Sequence, residues 1–378
     1  MNHNLNQTYK ADCIIIGAGI FGLYAALLLA KKKKKVIVLE KGLEAFSRAS
    51  AINQARVHNG YHYPRSYKTA KKSAYYYERF VRDFHFAIND SFKQIYAVSL
   101  KKSKTSAKEF VDFCNFVQID LQEIDKDIYF KKDVIDAAFL TNECSFDYIA
   151  IKNYLLEKLQ DKVDLFYDAR ILSVAKKEAA YVITLDNFVS LKASLVINAS
   201  YSGINHINEK FGQEKFKLKY ELCEVSFCNV PSALKDIGIT VMDGDYFSLM
   251  PFGHSKMHSL TSVEHTPRYI PYETMLKDME TLRIGSEACA MHNLRGCDLC
   301  SQSFASAWQK MYQPYQTYMK DDFPLTYRYS KFDIKAILLE SEEDDSRPTI
   351  IKQDTTGTTF ISVFSGKLST IFDLENYL

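Results

Sequence analysis

Residues 11–40 constrain this chain more than any other stretch. Ala11–Ile16 is a short apolar run that fits a buried parallel strand. Gly17, Gly19 and Gly22 follow in G-x-G-x-x-G spacing, with Ile20 and Phe21 between them. LYAALLLAKKKKK is then rich in strong helix formers, and VIVLE closes on Glu40, 23 positions after Gly17. Strand, glycines, helix, strand and terminal acid in this order predict a βαβ unit whose first turn binds a dinucleotide. Gly17 permits the tight turn, Gly19 lets the backbone approach a pyrophosphate, and Gly22 lets the helix pack on the strand. The helix start presents free N–H groups and a positive dipole end to the phosphates. An acid at position 40 can bond both ribose hydroxyls and would repel a 2′-phosphate. The plain alternative is a βαβ unit that is structural and holds no ligand.

The glycines of that turn are conspicuous because glycine is scarce: 14 in 378 residues, beside 8 Pro, 25 Tyr and 25 Phe. A hydrophobic fraction of 47% with 25% charged residues can build a large core, which excludes a disordered chain and a small stapled scaffold. The length suggests about two domains. A net charge of +2 gives no overall pull toward nucleic acid or membrane, and no nucleic-acid partner is expected. The Lys31–Lys35 run reads as a solvated helix end that compensates the dipole. Eight cysteines scattered along so long a chain do not read as a disulfide framework. The polar start MNHNLNQTYK carries no apolar signal region, and Ile20–Ala30 is too short to span a bilayer. A cytoplasmic protein is expected, with a peripheral membrane contact left open.

Four further segments carry a family resemblance. Ala55–Pro64 reads ARVHNGYHYP, with His58, Gly60 and Tyr61 in a row of His-x-Gly-Tyr type. Phe139–Leu159 runs through Asp147 into a helical pattern, and Leu191–Gly203 reads LKASLVINASYSG. Ser346–Glu375 ends in S-G-K-L-S-T followed by an apolar segment. Together with the glycine turn these resemble the D-amino-acid-oxidase-like flavoproteins, a superfamily that includes glycine oxidase, glycerol-3-phosphate dehydrogenase and L-2-hydroxyglutarate oxidase; the last two branches look most similar. The chain departs from the pattern at Ser200-Tyr201, where the family has a small residue and Gly.

The resemblance implies an α/β fold. A Rossmann-like FAD-binding domain would be formed by 1–92, 145–215 and 330–378. An α+β substrate domain with a mixed or antiparallel sheet would be formed by 93–144 and 216–329, with a helical elaboration at about 272–320. Ile95–Lys101, Lys219–Val230 and Ile239–Ser248 read as strands of that second domain, and Ser106–Val117 as a helix. FAD is the implied cofactor. Beside the glycines, Glu40, Lys41 and Ser50 would meet it from the first βαβ unit, Ala199 and Gly203 from the middle segment, and Gly366, Lys367, Leu368 and Ser369 from the last. A C-terminal helix starting there would aim its N-terminus at the flavin and stabilise reduced-flavin charge, aided by Lys367.

The implied function is hydride transfer from a CH–OH or CH–NH group of a small polar, anionic substrate to flavin N5, with oxygen, a quinone or a protein as electron acceptor. His58 and His62 fit the role of base, and His58 that of a covalent flavin attachment. Arg56, Arg65 and Arg347 are candidates for anchoring a carboxylate or phosphate, Arg347 foremost. The bland alternative for Arg347 is an ion pair with the acidic run Glu340–Asp345. Tyr61, Tyr63, Tyr246 and His258 are candidate pocket residues. Cys289, His292, Cys297 and Cys300 have partial zinc spacing but read better as free thiols, so no metal is expected. Two other readings stand beside this one: an NAD-linked dehydrogenase, and a flavin-binding interaction protein without catalysis.

Overall fold

A computed structural model describes residues 8–101, 103–244, 246–269, 305–341 and 347–378. The chain forms two compact units, Met1–Ala51 with Ile151–Leu218 and Arg347–Leu378, and Ile52–Ala150 with Lys219–Ser346.

The first unit is built on a six-stranded sheet. Its order is Val163–Phe166, Val36–Leu39, Cys13–Ile16, Leu195–Asn198, Thr359–Ser365 and Thr349–Asp354. The first five strands are parallel and the last is antiparallel. The register aligns Cys13 with Val36 and with Leu195, so the glycine turn and the residues after Asn198 leave the sheet at one edge. Cys13, Ile14 and Ile15 are fully buried, as expected for a strand covered on both faces. The helix Ile20–Lys31 buries eight of its twelve residues, which explains its nearly unbroken Ala/Leu run. A second sheet of four strands, Thr8–Lys10, Ser190–Ala193, Ala180–Leu185 and Ile171–Lys177, shares its core: Ile14, Ile37, Tyr181, Ile183 and Leu191 pack in one cluster.

The second unit is dominated by a nine-stranded sheet. Lys93–Ser99 lies in its middle, parallel to Ile237–Met242 and antiparallel to Ile135–Thr141. The expected strand Ile239–Ser248 is two: Ile237–Met242 ends at a turn where Asp243 has φ +59°, and Phe247–Pro251 returns antiparallel to it. Ala107–Val117 is a helix opened by a capping box, in which the Ser106 hydroxyl accepts from the Glu109 N–H and the Glu109 carboxylate accepts from the Ser106 N–H.

Residues 52–92, grouped with the cofactor-binding segments on sequence, associate with this second unit. The short strands Arg56–Val57 and Ile88–Asn89 both pair with Cys144–Phe146, and that small sheet ties the segment in. Of the expected elaboration at 272–320, the described part contains the helix Trp308–Tyr318; the rest, with Cys289, His292, Cys297 and Cys300, lies outside the described residues. No described helix is long and apolar enough to cross a membrane.

Candidate functional site

In the first unit the candidate residues gather at the carboxyl ends of the parallel strands, where open α/β sheets bind ligands. Gly17 follows Cys13–Ile16 with φ +104°, and a Cβ there would stand 2.8 Å from the Ala199 carbonyl oxygen. The turn is therefore pressed against the end of Leu195–Asn198, and only glycine meets both the dihedral and the space. Gly22 is tighter still, since its Cβ would lie 1.8 Å from the Gly17 oxygen.

Gly19 caps the helix in extended conformation with no side-chain cap, so the first turn keeps N–H groups open to a ligand. Ser50 occupies one of them: its buried hydroxyl accepts from the Ile20 N–H at 3.0 Å. Phe21 is half-buried beside it. Glu40, at the next strand end, accepts from the Ala18 N–H at 2.8 Å and from the Gly42 N–H at 2.7 Å, one bond to each carboxylate oxygen. These bonds fix the carboxylate beside the glycine turn and leave each oxygen a further lone pair. Lys41 is exposed. A glycine turn, a helix start whose cap residue carries no side chain and a fixed acid fit the pyrophosphate and ribose of a dinucleotide.

Two other strand ends contribute. After Asn198 come half-buried Ala199 and Ser200, then a short 3₁₀ turn, Tyr201–Gly203, which leads into the helix Ile204–Lys210. Tyr201 has φ +51°, a conformation that favours glycine, and its ring stacks on Phe364 at 6.0 Å. After Thr359–Ser365, Gly366 is exposed and Lys367 is 8% exposed. The expected C-terminal helix is a 3₁₀ helix, Leu368–Asn376, with Lys367 as its cap; Leu368 is half-buried and Ser369 buried. The Thr370 hydroxyl donates to the Lys367 carbonyl at 2.8 Å, which tightens this start. Arg347 sits at the same edge: a Cβ on Gly366 would be 3.2 Å from Arg347 Cβ and Cδ.

In the second unit the structure separates the sequence candidates. His58 is one-fifth exposed at its side chain, and its ring stacks on that of exposed His62 at 5.2 Å, with Tyr63 edge-on to both. Arg56 does not present a free guanidinium. It is 8% exposed, and donates to Tyr96 at 3.0 Å, to Thr240 at 2.8 Å and to Ser248. Arg65 pairs with Asp243 at 2.9 Å.

Tyr61, Tyr246 and His258 are core residues rather than pocket lining, at 0%, 3% and 2% exposure. Tyr61 donates to the Asp120 carbonyl and Tyr246 to that of Lys101. Buried Tyr63 keeps its ring against the two histidines. Burial drives the His258 pKa down to about 4, partly opposed by the Ile237 carbonyl and by Asp236.

Sequence reasoning passed over Glu143. Its side chain is fully buried, accepts from the Tyr96 hydroxyl at 2.7 Å and the Asn59 N–H at 2.9 Å, and faces His58 Nδ1 at 3.5 Å. Burial opposes its charge, yet His58, Arg56 and Tyr96 together hold its pKa below the usual carboxylate range. The one sequence signal was an acid placed against apolar strand residues in T-N-E-C. Among the described residues no group of three or more His, Cys, Asp or Glu could hold a metal ion.

Comparison with known proteins agrees with this architecture. Residues 12–273 match the family model described as FAD dependent oxidoreductase. A probable oxidoreductase, OrdL, of Haemophilus influenzae is 51% identical over 57 residues; the match covers 15% of this chain and 13% of that relative, so it speaks for a segment only. L-alpha-glycerophosphate oxidase from Mycoplasma pneumoniae superposes with a TM-score of 0.71 at 13% identity, covering 96% of this chain and 91% of the other. Glycine oxidase from Geobacillus kaustophilus gives 0.66 at 11% identity, again over 96% and 91%. L-proline dehydrogenase from P. horikoshii gives 0.64 at 12% identity, over 97% and 90%. At such identities these structures speak for the fold, whereas the family model spans most of the sequence, and the chain belongs to the FAD dependent oxidoreductase family, with FAD rather than NAD as its cofactor.

Proposed function

We propose that this protein oxidises a C–H bond beside a hydroxyl or amine in a small anionic substrate, an amino acid or a glycerophosphate-like molecule. Oxygen, a quinone or another protein would then take the electrons. Cofactor binding is assigned to the unit containing the glycine turn, which also carries the proposed anchor Arg347, while the proposed base His58 belongs to the other unit. Bound FAD would supply a two-electron acceptor for the hydride. Gly17, Gly19 and Gly22 would admit its pyrophosphate, Glu40 would accept from a ribose hydroxyl, and Gly366 with Lys367 would receive the flavin end.

The observation that carries the substrate class is Arg347 packed on Gly366. The Arg347 side chain passes beside that glycine, and arginine is the residue type suited to bind carboxylate or phosphate bidentately. The oxidases named for glycine and glycerophosphate, which share this fold, both act on anionic molecules with a C–H next to nitrogen or oxygen. His58 is the proposed base: a partly exposed imidazole backed by a buried carboxylate can accept the heteroatom proton as the hydride departs. His62, exposed beside it, is the second candidate.

The test is anaerobic bleaching of the bound flavin by panels of amino acids, hydroxy acids and polyol phosphates. One anionic class should bleach it, and Arg347→Ala should raise KM for that class about tenfold or more. A flavin that stays oxidised with every panel would refute the reading. An unchanged KM in Arg347→Ala would remove Arg347 from it.

A further inference from the structure

The buried polar network around Glu143 is larger than a structural ion pair needs. Arg56 lies on the strand Arg56–Val57, Tyr96 on Lys93–Ser99, Thr240 on Ile237–Met242 and Ser248 on Phe247–Pro251. Their bonds run in one direction. Arg56 donates to Tyr96 at 3.0 Å, and Tyr96 donates to Glu143 Oε2 at 2.7 Å, with Arg56 itself 3.9 Å from that oxygen. This side satisfies the carboxylate as a partner of Arg56.

The other oxygen, Oε1, is turned to the loop that follows Arg56–Val57. It accepts from the Asn59 N–H at 2.9 Å and faces His58 Nδ1 at 3.5 Å. Side-chain exposure is 1% for Arg56 and 0% for Glu143, but 20% for His58. Of these three side chains the imidazole is the one that reaches the surface.

We propose that Glu143 is a positioning residue for His58: it holds the neutral imidazole with its proton on Nδ1 and so leaves Nε2 as the proton acceptor. This rests on the reading of His58 as base. A carboxylate behind an imidazole fixes ring and tautomer because only the Nδ1–H form can donate to it, and it stabilises the imidazolium that forms when Nε2 is protonated. Arg56, 3.9 Å from Oε2, adds to the groups that favour the ionised carboxylate, and Tyr96 keeps Oε2 occupied so that Oε1 stays with the loop. Among the described residues Tyr61, Tyr77 and Cys144 also interact with Glu143; burial raises the pKa of each, so none of the three competes as a charge at neutral pH. His62 and Tyr63 face the His58 ring from the same loop.

The experiment is ¹⁵N NMR of the histidines in the holoenzyme, with His58 assigned from His58→Gln. The neutral His58 of the wild type should carry its proton on Nδ1; an Nε2–H tautomer would overturn the proposal, and this readout needs no folded variant at Glu143. In Glu143→Gln the titration midpoint of His58 should fall by about one unit or more. The rate of flavin reduction should fall about 100-fold with little change in KM, and Glu143→Asp should recover part of both. An unmoved midpoint in folded Glu143→Gln would overturn the proposal. If His58→Gln reduces flavin at the wild-type rate while wild-type His58 is Nδ1–H, the base reading fails and the pairing of Glu143 with His58 stands.

Discussion

A Cβ on Gly22 would stand 1.8 Å from the carbonyl oxygen of Gly17. The helix Ile20–Lys31 therefore crosses the end of the strand Cys13–Ile16 at a distance that only a hydrogen can fill. The obstructing atom is backbone and belongs to a turn already held by the Gly17 N–H bond to the Leu39 oxygen at 2.8 Å. Neither side can yield cheaply. Gly22→Ala should cost more than the roughly 1–3 kcal/mol of ordinary core overpacking, and it should displace the helix start from the pyrophosphate position. Thermal melting followed by the absorbance of retained flavin checks both: the variant should melt lower and purify with little FAD. A variant that melts and binds FAD like the wild type would contradict the close crossing.

Tyr201 tests the same strand ends from another side. Its φ of +51° costs an L-residue roughly 1–2 kcal/mol. Its ring returns roughly 0.5–1.5 kcal/mol by stacking on Phe364. Tyr201→Gly removes both terms and should leave stability within about 1 kcal/mol of the wild type. Tyr201→Val removes the ring and places a β-branched residue in the left-handed region, so it should destabilise by about 2 kcal/mol or more. Urea unfolding of the two variants separates the backbone term from the ring. Equal losses in both would mean that packing, not the dihedral, decides this position.

In the second unit the strands Lys93–Ser99 and Leu218–Asn229 and the helix Ala107–Val117 were legible, but its polar residues were not, and the contrast with the first unit says why. Around Gly17 the constraint is local: strand, turn, helix and acid follow within thirty residues, and each residue type is dictated by backbone geometry. Tyr201, which breaks the family pattern, has a φ in the left-handed region that favours glycine. The C-terminal segment was legible as a strand and turn, but its helix is 3₁₀, because hydroxyl-to-carbonyl bonds such as Thr370 to Lys367 tighten its start. In the second unit the meaning of a polar residue depends on distant partners. Arg56 looked like a free anchor, yet Tyr96 lies 40 positions away and Thr240 184 positions away. Nothing near Arg56 in sequence signals that burial. Glu143 was invisible for the same reason, since its partners come from two other segments. The split of Ile239–Ser248 was missed although Asp243-Gly244 is a turn dipeptide and the alternation already breaks at Val241-Met242.

His258, a residue that sequence alone would place in a pocket, leads to a pH prediction. It is 2% exposed, and its Nε2–H donates to the Ile237 carbonyl at 3.1 Å. Burial lowers its pKa from 6.5 to about 4. Between these values the folded protein keeps His258 neutral while the unfolded chain binds a proton, so unfolding takes up a proton and stability falls as pH falls. The contribution is fully present above the unfolded pKa of about 6.5 and is lost as pH drops to about 4, roughly 3 kcal/mol in all. His258→Gln can keep a donor for the Ile237 carbonyl but does not titrate. Urea unfolding at several pH values should show the wild type more stable near neutrality, with its advantage over the variant shrinking by roughly 3 kcal/mol between pH 6.5 and 4. A constant difference across that range would mean that His258 is protonated in the folded state. In that case a charged imidazole would sit in this core, and the neutral donor to Ile237 would be the wrong description of it.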